Sequence, residues 1–397
     1  MDLLKGLQVL DLADEKGSFC SKLLADLGAR VIKIEKPGGD PSREMGPFLE
    51  DSPNPERSFF FFHNNTNKLG ITLNLEHENG KEIFFKLLRK TDVVVETSPD
   101  YIRQNGLSYD VLHIESIKLI HVSVTGFGQS GPRSQYRSCD LVASAFGGQM
   151  YVTGSPSAAP LRPFGNQSYY TASLFAAVSI LLALRKRART GKGEHIDISL
   201  QEAAVSTLDH VMVRYFYENT VAKRQGGAYW NHSFCILPCK DGHILLAPFQ
   251  QWETLVEWVD NEGMAEDLRD KGYLEEGYRD SHMSHIIQVI ERWTKNHTVQ
   301  ELFESGQLMR LPWAPISALK GVLSNSQLKA RGFFVDVEHP ELKRSISYPG
   351  SPYKFSNSST GRWKRAPLVG EDNVRIYQEE LGLSKEEYER LLSLGVI

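Results

Sequence analysis

A chain of 397 residues, 41% hydrophobic and 24% charged, is long enough for two domains and ordinary in composition for a globular protein. A net charge of −4 argues against nucleic acid or an anionic membrane as an obligatory partner, while a local basic groove for a phosphorylated ligand stays open. Four cysteines in so long a chain are no disulfide framework and point to a reducing, cytoplasmic setting.

The chain opens MDLLKGLQVLDLADEKG, without a basic stretch followed by an apolar one, so no secretory signal is expected. GLQVLDLA reads as a strand, FCSKLLADLGA as a helix ended by Gly28, and RVIKIEKP as a second strand. GKEIFFKLLRKTD then reads as a helix, and DVVVETS and LIHVSVTGFG as buried strands. Strand and helix alternating at this spacing predict an α/β fold with a mostly parallel, Rossmann-like sheet. No G-x-G-x-x-G follows the first strand, so a dinucleotide is not expected.

GNQSYYTASLFAAVSILLALRKRARTGKG, from Gly165, is apolar only from Ala172 to Leu184. A bilayer span needs roughly 20 such residues, so this is expected to be a core helix whose basic end, Arg185 to Arg189, complements the helix dipole. From about Gly226 the character changes to short aromatic-rich strands around Lys240-Asp241-Gly242, then to helices in QQWETLVEWVD and HIIQVIERWTKNH. This reads as a smaller α+β domain ending near Leu319. His232, Cys235, Cys239 and His243 could each ligate zinc, but their spacing matches no common zinc module. Cys235 and Cys239 are expected on one buried strand face, and no metal is expected. A long Pro- and Gly-punctuated stretch follows, of the kind that wraps either its own first domain or a partner. The last helix, SKEEYERLLSLG, carries a capping signal at Ser384 and Glu387.

Five blocks together carry a resemblance: LLADLGARVIKIEKPGGDPSR from Leu23, NNTNKLGITLNL from Asn64, SVTGFGQSGP from Ser123, RTGKGEHIDISLQEA from Arg189, and the ending RAPLVGEDN with LGLSKEEYERLLSLGVI. In this order they resemble the class III CoA-transferases, the CaiB/BaiF family, over essentially the whole chain. The resemblance implies a large Rossmann-like domain built from both chain ends, a smaller inserted α+β domain, and an interlocked dimer. The segments expected are 1–225 for the first part of the large domain and 226–320 for the small one. The return segment, 321–397, would complete the large domain and wrap the partner. It also implies coenzyme A thioesters as substrates, with no covalently bound cofactor.

Family chemistry, by the same resemblance, rests on one aspartate. Its carboxylate attacks the thioester, forms a mixed anhydride, and then carries CoA as an enzyme thioester. Aligned back from SLFAAVSILLAL, that position is Tyr169. A phenol has a pKa of about 10, and once acylated it is an ester with no carbonyl of its own, so it cannot hold CoA. Asn166, Gln167, Ser168 and Tyr170 supply no carboxylate either, and Asp140 is expected to orient rather than react. The family's first CoA-facing loop is altered to Lys16-Gly17-Ser18, with Asp14 before it, and Asp100 follows the V-V-V-E strand. Both acids would repel CoA phosphates if they face them. Lys36, Arg43, Lys68 and Arg103 remain as candidate CoA contacts, with solvated surface cations the plain alternative. Racemase chemistry, a second activity in the superfamily, would need a histidine where Cys139 stands and an aspartate where Tyr169 stands.

Framework motifs kept and catalytic motifs lost suggest a chain retained for its fold and assembly. The leading expectation is a non-catalytic subunit of a hetero-oligomeric CoA-transferase, paired with an aspartate-bearing paralogue. Two-subunit members that use succinyl-CoA and benzylsuccinate, in anaerobic aromatic degradation, offer the pattern. The aromatic residues Phe59 to Phe62, Tyr169, Tyr170, Tyr229 and Trp230 suit either an aromatic acyl site or a core. Alternatives are an active homodimer using another carboxylate, and an acyl-CoA binding protein without turnover.

Overall fold

The computed structural model describes residues 3–229, 234–248, 251–358 and 363–397. Trp230, His232 and residues 359–362 of the unpatterned stretch lie outside these. The chain divides into two compact units. Met1–Met150, Arg162–Val221 and Lys329–Ile397 form the larger, and Tyr151–Leu161 with Ala222–Leu328 the smaller.

Six strands build the larger unit: β1 (Gln8–Leu12), β2 (Arg30–Glu35), β3 (Leu69–Thr72), β4 (Val93–Glu96), β5 (Ile120–Thr125) and β6 (Glu194–Ser199). All neighbours pair in parallel, in the order β3-β2-β1-β4-β5-β6. Every residue of β4 and β5 is buried, as in a parallel sheet covered on both faces. Chain direction across the sheet reverses between β1 and β4, which opens a crevice at the carboxyl ends of the strands.

Helices α1 (Ser18–Asp26), α2 (Phe59–Asn64), α3 (Glu78–Leu88), α4 (Pro99–Gln104) and α5 (Tyr109–Glu115) follow the first strands. After β5 come α6 (Asp140–Phe146), a short α7 (Gln149–Val152) and the long α8 (Gln167–Thr190). α9 (Leu200–Ser206) and α10 (Asp209–Glu218) follow β6. α8 is long and apolar enough to cross a membrane by length and composition. Its small side chains nevertheless form a core face: Ala172, Ala176, Ala177, Ile180 and Ala183 are buried with Val9, Val122 and Val124 of the sheet. The helix ends at Gly191, whose φ of +71° is the left-handed cap that favours glycine.

The carboxyl-terminal stretch returns to the open edge of the sheet at β3. Asp372 and Asn373 side chains accept the N–H groups of Gly70 and Thr72 at 2.8 and 2.9 Å, and the Tyr377 hydroxyl donates to the Thr72 carbonyl at 2.6 Å. An exposed edge is thereby satisfied by the chain's own end. Ser384 caps the final helix (Lys385–Ser393) by accepting the Glu387 N–H at 3.1 Å.

The smaller unit has an antiparallel sheet of β7 (Ala228–Tyr229), β8 (Phe234–Pro238), β9 (His243–Leu246) and β10 (Ala314–Pro315). Cys235 is buried in its core and Cys239 packs against it, on the same strand face as Leu237. Within the region that sequence pattern left without periodicity, β11 (Phe334–His339) and β12 (Arg344–Pro349) form an antiparallel hairpin. Its inner residues Val337 and Tyr348 bury Phe62.

Candidate functional site

Tyr169 sits in the first turn of α8 and is buried in the core of the larger unit. Burial raises its phenol above the ordinary value, opposed by a hydrogen bond from the Asp140 backbone; the negative charges of Glu15 and Asp14 raise it further. The phenolate is therefore out of reach at neutral pH. Asp140 does what the sequence assigned to it. No side chain of the cap residue Asn166 satisfies the start of α8, and Asp140 Oδ1 accepts the Ser168 N–H at 2.8 Å instead. It is a helix cap supplied from the start of α6.

Next to this turn, Tyr170 meets Phe19 edge-to-face at 4.8 Å, and the His63 ring stacks on Phe19 at 6.0 Å. Burial lowers the His63 pKa to about 4, with help from Lys22, so the imidazole is neutral. Of the remaining aromatic candidates, Phe59, Phe61 and Phe62 serve packing, and the Tyr229 side chain lies outside what is described. Phe61 lies under the Arg43 guanidinium at 3.7 Å, Phe59 and Phe62 pack on the β11–β12 hairpin, and Trp230 lies outside the described residues.

The loop between β1 and α1 brings a second set of groups to the same place. Gly17 is needed there: a Cβ would stand 2.9 Å from Thr97 Cγ2 and 3.1 Å from Ala13 Cβ. Thr97 Oγ1 accepts the Asp14 N–H at 3.0 Å, which ties this loop to the end of β4. Asp14 pairs with Lys16, whose Nζ also lies 3.7 Å from Glu15. Glu15 has its pKa raised by burial and by Asp14, partly offset by Lys16. No local spacing relates Glu15 to Tyr169; only the fold joins them.

A cavity of about 360 Å³ opens at the carboxyl ends of β1, β2 and β4. Leu12, Ile34, Leu73, Leu75 and Ile102 give it an apolar wall, and Lys36 and Tyr101 stand at one side with the ammonium 4.3 Å from the ring. Its carboxylates are Asp14, Glu35, Asp40 and Glu96.

The four candidate cations separate in the structure. Lys36 is exposed, lines the cavity and pairs with Glu76 at 2.9 Å. Arg103 is exposed and pairs with Asp100 at 3.0 Å, so that acid is locally neutralised. Arg43 and Lys68 require a correction, because neither is a surface cation. Arg43 is 1% exposed and donates to Glu35 at 2.6 and 2.7 Å, Glu56 at 2.8 Å and the Pro367 carbonyl at 2.9 Å. Lys68 donates to Asp11, the Ser18 carbonyl and Asn65 at 2.7 to 2.9 Å, and burial depresses its pKa to about 8. Lys68 has all three of its N–H groups engaged inside the chain and Arg43 four of its five, and both are buried away from a ligand phosphate.

The profile of CoA-transferase family III matches residues 4–373. The chain belongs to CoA-transferase family III. Among its relatives, the succinyl-CoA:(R)-benzylsuccinate CoA-transferase subunit BbsE of Thauera aromatica is 33% identical over 98% of this chain and 97% of its own. A mouse succinyl-CoA:glutarate CoA-transferase is 31% identical, covering 100% of this chain and 91% of its own. A CaiB/BaiF family protein from Brucella suis has the same fold, with a TM-score of 0.85 at 29% identity over 95% of this chain and 98% of that one. The family III chain has a six-stranded parallel sheet and the long helix α8, with Tyr169 in its first turn.

Proposed function

We propose that this chain is the non-catalytic subunit of a hetero-oligomeric family III CoA-transferase, completed by an aspartate-bearing paralogue. The observation that carries this reading is Tyr169, buried at the start of α8 with its phenol held neutral. A phenol can neither attack a thioester at neutral pH nor hold CoA as a thioester. Transfer of CoA from an acyl-CoA, with succinyl-CoA as donor and an aromatic acid such as benzylsuccinate as acceptor, is supported by the substrates named for the Thauera relative and by its description as a subunit.

The surface supports a partner of the same family. α8 exposes Leu174, Phe175, Val178, Leu181 and Leu182 as one apolar stripe, and α10 has no buried residue although it carries Met212, Val213, Tyr215 and Phe216. Patches of this extent are costly to leave wet. An interlocked partner subunit, in the cytoplasm, would cover them. The strand order, reversing between β1 and β4, supports the Rossmann-like reading of the large domain. The crevice at that reversal suits the nucleotide end of CoA, with the apolar wall for the base and Lys36 and Arg103 as the cations near phosphate.

Co-expression with an aspartate-bearing homologue is expected to give a mixed complex, visible by native mass spectrometry, that transfers CoA while the lone chain is inert. Full activity of a homodimer would overturn the reading. A second reading, an active homodimer using another carboxylate, is favoured by one feature: the negative charge of Glu15 is felt by the Tyr169 phenol, which places a carboxylate in the same region of the larger unit. Trapping an enzyme–CoA thioester and mapping it to Glu15 would establish that alternative. Tight CoA binding without transfer in any complex would mark a binding protein.

A further inference from the structure

The sheet face opposite α8 carries polar rungs where a parallel sheet is ordinarily apolar. His121 of β5 and His195 of β6 are register partners, and Glu96, Ser123 and Asp197 form the next rung. Val122 and Val124, alternating with them, point into the apolar core. α5 covers this polar face with Tyr109, whose ring stacks on His195 at 4.9 Å. His195 is satisfied: its Nε2 lies 3.1 Å from both Ser123 Oγ and Gln129 Nε2.

Two groups on this face are not satisfied by protein. Glu96 is 1% exposed; its Oε2 accepts the Ser98 N–H at 2.7 Å, and its Oε1 meets no donor. His121 is 3% exposed, and neither ring nitrogen meets a protein partner. A neutral imidazole offers one donor and one acceptor, and leaving either unmet costs about 1–3 kcal/mol. His121 Nε2 lies 3.8 Å from Glu96 Oε1, too far for a direct hydrogen bond. Between Glu96, His121, Ser123, Gln129 and His195 is a cavity of about 30 Å³. A polar space above roughly 10–15 Å³ holds a water.

Glu96 also forms part of the wall of the larger crevice. The other three carboxylates there each have a cation: Asp14 has Lys16, Glu35 has Arg43 and Asp40 has Lys33. Glu96 has none in contact. The charged or titratable groups facing it are Asp14 from the β1–α1 loop, Asp197 from β6 and the neutral His121, with His195 and Arg103 around the small cavity. An ionised Glu96 would leave an unpaired negative charge in the wall of a site that receives phosphates.

We propose that Glu96 and His121 share one internal water, and that Glu96 fits the crevice to a polyanionic ligand by taking up one proton when that ligand binds. The coupling rests on the reading of this crevice as the place of the CoA nucleotide. The proton comes from solvent, adds to the carboxylate and returns to solvent when the ligand leaves. The water keeps a hydrogen bond to Glu96 in either state, because it can accept from the acid or donate to the anion. Burial moves the Glu96 carboxyl up to about 7, against the nearby Ser123 hydroxyl and the hydrogen bond from the Ser98 backbone, so the proton is exchangeable near neutrality.

Calorimetric titration of the full chain with coenzyme A, in two buffers of different ionisation enthalpy, counts this proton. At about pH 8 the wild type is expected to take up up to about one proton more than Glu96→Gln, and at about pH 6 almost none more. Its affinity should fall by up to about tenfold per pH unit above neutrality relative to the variant. Taking the difference removes the titration of the ligand's own phosphates. Equal proton counts with binding intact would overturn the coupling and leave the crevice reading standing; no CoA binding at any pH would overturn both. Infrared titration without ligand decides the Glu96 proton separately. A carboxylic-acid carbonyl band that titrates near neutrality and is missing in Glu96→Gln supports the proposal, and its absence from the wild type overturns it even if the variant fails to fold.

Discussion

A phenol in the first turn of α8 and a lone carboxylic acid at the end of β4 set the chemistry of this chain. The Tyr169 phenol oxygen accepts a hydrogen bond from the Asp140 backbone. Tyr169→Phe should therefore cost about 1 kcal/mol in urea unfolding and leave the transfer rate of the assembled complex within about twofold. A loss of more than about a hundredfold would mean that the phenol takes part. Glu96 and His121 give opposite pH signatures. The folded pKa of Glu96, about 7, lies above its ordinary 4.5, so the folded state holds more protons between these values and stability declines as pH rises through that window. The loss is on the order of 3 kcal/mol at most, and Glu96→Gln should flatten it. His121 is pushed down to about 3 from 6.5, so the unfolded state holds more protons between these values and stability falls as pH falls through them. His121→Asn should flatten the acid limb. Urea midpoints across a pH series separate the two.

Among the elements, α8 depends on Asp140 for its start, and the end of β2 on an ion-paired frame of its own. Asp140→Ala removes the acceptor for the Ser168 N–H and should cost about 1–2 kcal/mol, while Asp140→Asn retains most of the cap. Arg43 joins Glu35 at the end of β2 to Glu56 and to the Pro367 carbonyl of the returning chain end. Arg43→Met leaves Glu35 buried without its cation and should destabilise by about 3–5 kcal/mol, read from denaturant unfolding. A surface cation would show less than about 0.5 kcal/mol.

For the whole molecule, the apolar stripe on α8 is the test of assembly. Val178 and Leu182 are 54% and 61% exposed. Val178→Asp with Leu182→Asp is expected to change the stability of the lone chain by less than about 1 kcal/mol and to abolish co-purification with the aspartate-bearing subunit. Unchanged co-purification would place the partner elsewhere.

Much of this molecule is legible in the order of its residues, because strand and helix formation depend on neighbours. The runs QVLDL, RVIKIE, VVVE and IHVSVT form strands of one parallel sheet, Gly28 and Gly191 end helices, and Ser384 caps the last one. The family motifs, and with them the reading of Tyr169, are also a matter of linear spacing. Burial and pairing across strands are not. Arg43 and Lys68 look like any surface cations until Glu35 and Asp11 are seen beside them in the interior. The charge of Glu15 acts on Tyr169 from a loop more than a hundred residues away in the chain, and Glu96 comes near His121 only because β4 and β5 pair in one register. The pattern of side chains along the chain determined the elements and the absence of a carboxylate from the start of α8. Which charges are buried, and which one is left without a partner, was decided by packing, since desolvation and Coulomb energy depend on distances that only the folded chain defines.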